Sequence, residues 1–132
     1  MDRENMEHKA IEKEIVDKAK EWVNEYGEDF LVELIDVFLD EAPGQLAQMQ
    51  IAAAGHESEI VSREAHSLKS SSANLGATTL SGKAQQIELA GRSGNSQNLA
   101  AQVCQLAAIF AQVKSTLEAL RRAPAEFIGQ ER

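Results

Sequence analysis

The sequence has little of what disulfides, membrane spans and aromatic cores require. Only one of its 132 residues is cysteine, and 5% are aromatic. A lone cysteine, Cys104, cannot form an internal disulfide. No apolar run approaches the length that spans a membrane, and the charged N-terminus is unlike a signal peptide. We therefore expect a cytoplasmic protein with an aliphatic core.

Turn-forming residues are also scarce. The chain has two prolines and eight glycines, against 20 alanines. This composition favours helices and argues against a sandwich or barrel, which needs frequent turns. The length suits a single domain.

Basic residues are fewer than acidic residues, and the excess of acid is concentrated at the N-terminus. The formal net charge is -8. Residues 1–41 hold 14 acids and 5 bases, whereas the remainder holds 7 acids and 8 bases. An acidic surface repels phosphate backbones and anionic lipids, so we expect neither nucleic acid nor membrane as a partner.

Hydrophobic residues recur every three or four positions in five segments, which is typical of amphipathic helices. We expect the first to end at Gly27 and the second to break or kink at Pro43 before it ends at Gly55. The third runs over 58–75, and Thr78 or Thr79 is a candidate cap for the fourth. The fifth has the most regular stripe: Leu99, Val103, Leu106, Phe110, Val113, Leu117 and Leu120.

Short connections between such helices predict antiparallel neighbours. The fold class is therefore all-α: an antiparallel up-and-down four-helix bundle with an additional N-terminal helix. We expect the acidic N-terminal helix over 1–27, the bundle over 28–123 and a flexible tail over 124–132. The turn cluster at 91–96 separates the last two helices.

Three histidines are candidates for chemistry. His8 and Glu12 share one helix face, but with no third ligand suggested we expect a solvated pair and no metal site. His56 falls in a connection between helices. His66 lies about 100° from the core stripe of its helix.

The face that carries His66 combines an imidazole, cations and small side chains. Lys69, Ser70 and Ala73 follow it at helical spacing, with Ser62 and Arg63 one turn earlier. A neutral imidazole is a nucleophile near neutral pH. A lysine at i+3 could reach phosphate oxygens on that imidazole, and small neighbours admit another protein. On spacing alone, a half-exposed histidine with no role remains an alternative.

The run over 65–77, AHSLKSSSANLGA, closely resembles the signature of the histidine-containing phosphotransfer (HPt) domain, roughly H-x-L-K-G-S-[SA]-x-x-[LI]-G. The upstream segment over 38–43, FLDEAP, is also similar to HPt chains. The resemblance spans roughly residues 28–120. One departure is Ser70, where the family usually has glycine.

The resemblance implies roles for individual residues. His66 matches the phosphoacceptor, Lys69 the phosphate contact and Gly76 the glycine that ends the helix. Glu88 falls where family members often have Gln or Glu facing the histidine. It could orient His66 by accepting a hydrogen bond from Nδ1–H, or it could be a solvated helix residue. Ser62, Arg63, Ser70 and Ala73 are the candidate partner contacts.

The implied activity is reversible phosphoryl transfer between His66 and aspartates of response-regulator receiver domains. The implied partners are such receivers and a hybrid sensor histidine kinase, with Mg²⁺ held by the receiver and no cofactor on this chain. No nucleotide-binding loop is present, so we expect a monomeric phosphocarrier and not an enzyme. The alternative is a non-catalytic bundle that has kept the shape alone. A kinase dimerisation domain usually has proline five residues after its histidine, where this chain has Ser71. An enzyme with His66 as base is disfavoured, because Ser70 and His66 would stand on a convex surface.

Overall fold

The computed structural model describes residues 3–94 and 97–128, and within these ranges the chain forms six helices and no strand. The all-α prediction is therefore confirmed. The helices are α1 (Arg3–Tyr26), α2 (Glu28–Ala54), α3 (Ser58–Asn74), α4 (Thr78–Arg92), α5 (Leu99–Arg122) and α6 (Pro124–Phe127).

Helices α2 to α5 form the predicted up-and-down bundle. Each contacts the next along the chain, and α2 contacts α5 to close the ring. The pairing is antiparallel: Ser62 near the start of α3 bonds to Glu88 near the end of α4. Similarly, Asp36 near the start of α2 forms an ion pair with Arg121 at the end of α5.

The core is aliphatic, as the composition predicts. Every residue of the α5 stripe is buried, from Leu99 to Leu120. Helix α1 joins the same core through Ile11, Ile15 and Ala19. Burial of these side chains supplies the main driving force that holds the additional helix on the bundle.

Helix α2 differs from the prediction at Pro43, because it continues without a break from Glu28 to Ala54. The proline removes one backbone donor from the helix interior. Buried Phe38 and Ala42 before it and Met49 after it anchor both halves to the core, while Pro43 itself faces solvent. Tertiary packing thus overrides the local signal.

The connections after α1 and α2 use left-handed residues. Gly27 follows α1 with φ +92°, as the sequence pattern suggests. After α2, the left-handed position belongs to His56 (φ +59°) and not to Gly55. The amide of Glu57 donates to Ala52 O, which closes the turn around His56.

The start of α4 also differs from the prediction. Neither Thr78 nor Thr79 caps the helix; the cap position is Ala77, which has no side-chain bond. Instead, Glu14 of α1 accepts the Thr79 amide at 2.9 Å. Helix α1 therefore supplies the cap that we expected from Thr78 or Thr79.

The segment expected as a flexible tail is helical over Pro124–Phe127, and Ile128 is buried against the core. Residues 129–132 of that predicted tail, and 95–96 of the predicted turn cluster, lie outside the described residues. Across the described ranges, no helix is long and apolar enough to cross a membrane.

Candidate functional site

The candidate site lies on the hairpin formed by α3 and α4. The connection is Leu75-Gly76-Ala77, with Gly76 at φ +75°. The Gly76 amide donates to Ala73 O at 3.0 Å and the Ala77 amide donates to Ser72 O at 2.9 Å. This pair of bonds satisfies the last carbonyls of α3 and reverses the chain in three residues.

At the open end of the hairpin, Gly91 lets the two helices approach closely. A Cβ at Gly91 would lie 2.7 Å from Ser58 O and 3.1 Å from Ser62 Cβ. The Ser62 hydroxyl donates to Glu88 O at 3.1 Å across this contact. Ser62 was predicted to contact a partner, but it is buried between the helices, because Gly91 leaves no space above it.

Glu88 is the centre of the site and is not a solvated helix residue. Its side chain is only 3% exposed, although it carries a carboxylate. Oε1 accepts from Lys69 Nζ at 2.8 Å, and Oε2 accepts from Arg92 Nη2 at 2.6 Å. Oε2 also lies 2.8 Å from Nδ1 of His66. Three donors from two helices thus satisfy one buried acid.

The charge state of Glu88 fixes the proton on His66. The hydrogen bond from Lys69 holds the pKa of Glu88 below its usual range, with a further lowering from His66 against the opposing effect of burial. An ionised carboxylate only accepts hydrogen bonds, so Nδ1 must carry the proton of the neutral imidazole. The lone pair then resides on Nε2, to which no described residue bonds.

His66 projects outward while its orienting partner stays buried. The imidazole is 61% exposed, against 29% for Lys69 and 66% for Arg92. The ring is therefore fixed from inside the hairpin and accessible from outside. Such an arrangement can present a nucleophilic nitrogen to another macromolecule.

The other candidate partner contacts lie on the exposed side of α3. Arg63, Ser70 and Ala73 are all exposed. The Ser70 hydroxyl is 3.4 Å from His66 O, so it bonds weakly to its own helix. Arg63 lies three residues before His66, and the small side chains Ser70 and Ala73 lie four and seven residues after it, so all three share its face of α3.

Two features at or near the site were not predicted from the sequence. Arg92 lies four residues after Glu88, a spacing that brings oppositely charged side chains together on a helix. The second is a small apolar recess between α2 and α3, lined by residues that include Leu34, Phe38, Ser71 and Asn74. At its edge Val37 is 54% exposed, although it is a large apolar side chain.

No group of three potential metal ligands occurs among residues 3–94 and 97–128. His8 is half-buried on α1, and His56 is exposed in the α2–α3 connection. Neither lies in the constellation around Glu88.

Comparisons with known proteins identify the family of this chain. The family model described as Hpt domain matches residues 33–123. The crystal structure of histidine-containing phosphotransfer protein B (HptB) from Pseudomonas aeruginosa PAO1 is similar, with a TM-score of 0.74 and 27% identity. The match covers 80% of this chain and 92% of that one. A search of curated proteins finds no match. On the family match over most of its length, the chain belongs to the Hpt domain family.

Proposed function

We propose that this protein carries a phosphoryl group on Nε2 of His66, which it takes from and returns to aspartates of receiver domains. One observation carries the proposal: His66 is exposed, while its Nδ1 is 2.8 Å from a buried carboxylate of Glu88. That bond selects the tautomer whose exposed nitrogen is nucleophilic.

The transfer step needs no proton to leave the ring. Nε2 attacks the phosphorus of an aspartyl phosphate, the N–P bond forms, and the P–O bond to the aspartate breaks with its electron pair on oxygen. Nδ1 keeps its proton and Glu88 accepts the resulting stronger hydrogen bond. In the reverse direction the imidazole leaves as a neutral ring. Mg²⁺ on the receiver supplies further charge neutralisation.

Two cations lie beside the carboxylate that orients His66. Lys69 and Arg92 both contact Glu88, and both keep an exposed fraction that allows their heads to turn. A phosphoryl dianion on Nε2 attracts them away from a carboxylate that has only one charge. We assign Lys69 as a phosphate contact and Arg92 as a second one, and Glu88 as the residue that orients His66.

The surface around His66 suits a flat protein partner. Ser70 and Ala73 are small, and across α3 the exposed Val37 borders the apolar recess. An exposed apolar side chain next to a concavity is a typical anchor at a protein interface. A receiver domain centred on His66 covers this face. A hybrid kinase with an attached receiver is the expected donor.

The test is phosphorylation of the purified protein. We incubate it with a phosphorylated receiver and Mg²⁺, and measure an acid-labile, alkali-stable phosphoryl group. His66→Gln should abolish the label, whereas His8→Gln, the same substitution on α1, should keep it. Lys69→Ala should slow transfer while the helix content stays unchanged.

Label that persists at full level in His66→Gln would refute the site assignment. A wild-type chain that stays unlabelled by every receiver and hybrid kinase of its source organism would refute the proposal as a whole. It would leave the alternative, a bundle that binds partners without transfer.

A further inference from the structure

Helix α1 supplies a helix cap to α4 from a distance. Oε2 of Glu14 accepts a hydrogen bond from the Thr79 amide at 2.9 Å. Oε1 accepts hydrogen bonds from the hydroxyls of Thr78 at 2.8 Å and Thr79 at 3.0 Å. A carboxylate at this end of a helix is also favoured by the helix dipole. Because α4 has no side-chain cap of its own, Glu14 does what a local residue usually does.

The same face of α1 also holds the end of α3. Trp22 donates its indole N–H to Asn74 O at 2.8 Å, which satisfies a carbonyl in the last turn of α3. Between these contacts, Lys18 packs on the turn: a Cβ on Gly76 would lie 2.3 Å from Lys18 Cβ. Glu14, Lys18 and Trp22 are spaced by four residues, so they form one row along α1.

The first turn of α4 is linked to the site. Ser81, in that turn, donates its hydroxyl to Lys69 O at 3.0 Å. A shift of the capped turn therefore reaches the backbone of a residue that contacts Glu88. At its open end the hairpin is held separately, by the Ser62 bond to Glu88 O and the close approach at Gly91.

From these contacts we propose that α1 is a positioning element for phosphoryl transfer. Glu14 and Trp22 fix α3 and α4 against each other at the turn, and so keep His66, Lys69 and Glu88 in register. This inference rests on the proposed function. The row on α1 lies outside residues 33–123, which the family model matches.

A movement at the turn is transmitted to the site because α3 and α4 are stiff. Asn74 lies eight residues after His66, and Thr78 lies ten residues before Glu88, which places both about 12–15 Å from the site. Release of the turn lets α4 slide or tilt against α3, and the bonds around Glu88 have lengths that tolerate little displacement. A misplacement of about 1 Å can slow a reaction about a hundredfold.

The test uses Glu14→Gln in the full chain. Glutamine keeps the size but has one acceptor oxygen, so it cannot serve the Thr79 amide and both hydroxyls. We expect the transfer rate at saturating receiver to fall roughly tenfold. This is less than the effect of a misplacement of about 1 Å, because only some of the contacts at the turn are lost. The half-saturating receiver concentration should stay unchanged, because the docking face is untouched. Trp22→Phe, which removes the indole donor, should act in the same direction.

The matched control is Asp17→Asn, which also turns an acid of α1 into an amide. It breaks the exposed pair with Lys13, which lies within α1. All rates are measured well below each variant's melting temperature. A second readout is the NMR signal of the His66 Nδ1–H in the unphosphorylated protein, which should shift or exchange faster in Glu14→Gln and stay unchanged in Asp17→Asn.

The outcomes separate the two proposals. Wild-type rates and an unchanged Nδ1–H signal in both Glu14→Gln and Trp22→Phe would show that α1 only adds stability, and would overturn the inference. A wild-type protein that takes no phosphoryl group would instead refute the proposed function. The Nδ1–H signal would then still decide whether α1 positions His66.

Discussion

Gly91→Ala is the substitution whose effect can be worked out most fully from the structure. Its added Cβ would lie 2.7 Å from Ser58 O, about 0.7 Å short of ordinary contact at 3.4 Å. Ser58 O is a backbone atom, so the strain is relieved only if α3 and α4 move apart. Gly82→Ala is the matched control, because on the same helix its Cβ meets nothing within 4 Å.

The two alanines should have opposite effects on stability. Alanine gains about 1 kcal/mol over glycine in a helix interior, so Gly82→Ala should raise the free energy of unfolding by up to that amount. At Gly91 the same gain is offset by overpacking, which typically costs about 1–3 kcal/mol. We expect a net loss of about 1 kcal/mol, measured by urea unfolding.

The same separation reaches the site. Glu88 lies three residues before Gly91, so a movement of about 0.7 Å brings the 2.8 Å contact with His66 close to the limit of a hydrogen bond. Transfer in Gly91→Ala should therefore slow at temperatures where the protein remains folded. Equal stability and equal activity of Gly91→Ala and Gly82→Ala would refute a separation of α3 and α4 in the Gly91 variant.

Two further predictions concern single side chains. Because the bond from Lys69 lowers the pKa of Glu88 from 4.5, the ionised carboxylate stabilises the fold above that pH, and this stabilisation is lost as the pH falls below it. Urea unfolding across this range should show a steeper acid loss for the wild type than for Glu88→Gln; parallel curves would contradict the assigned bonds. His56→Gly should raise the free energy of unfolding by about 1 kcal/mol, because glycine adopts the left-handed conformation at position 56 without the penalty of a Cβ. A neutral or destabilising result in the same assay would show that His56 has compensating contacts.

The sequence predicts the helices because their information is local. The apolar stripe of α5 is recognised from the spacing of its residues. The turns at Gly27 and Gly76 are recognised because glycine adopts a positive φ easily. The local sequence does not predict that α2 continues through Pro43. This continuity depends on the core against which both halves of the helix pack.

Within the site, the sequence places His66, Lys69 and Glu88 but does not settle whether Glu88 is buried. Burial follows from the approach of two helices at Gly91, which is a property of the packed hairpin. The same approach buries Ser62, against expectation. The cap from Glu14 joins residues more than 60 positions apart, so no local pattern reveals it.

The outward projection of His66 has a consequence for timing. The His66 ring is 61% exposed on the outer face of α3. If His66 carries a phosphoryl group as we propose, water would reach that group from the solvent side. The lifetime of the phosphorylated state would then be set by hydrolysis and by the next encounter with a partner, so the concentrations of carrier and partner would control how much of the phosphoryl group is passed on.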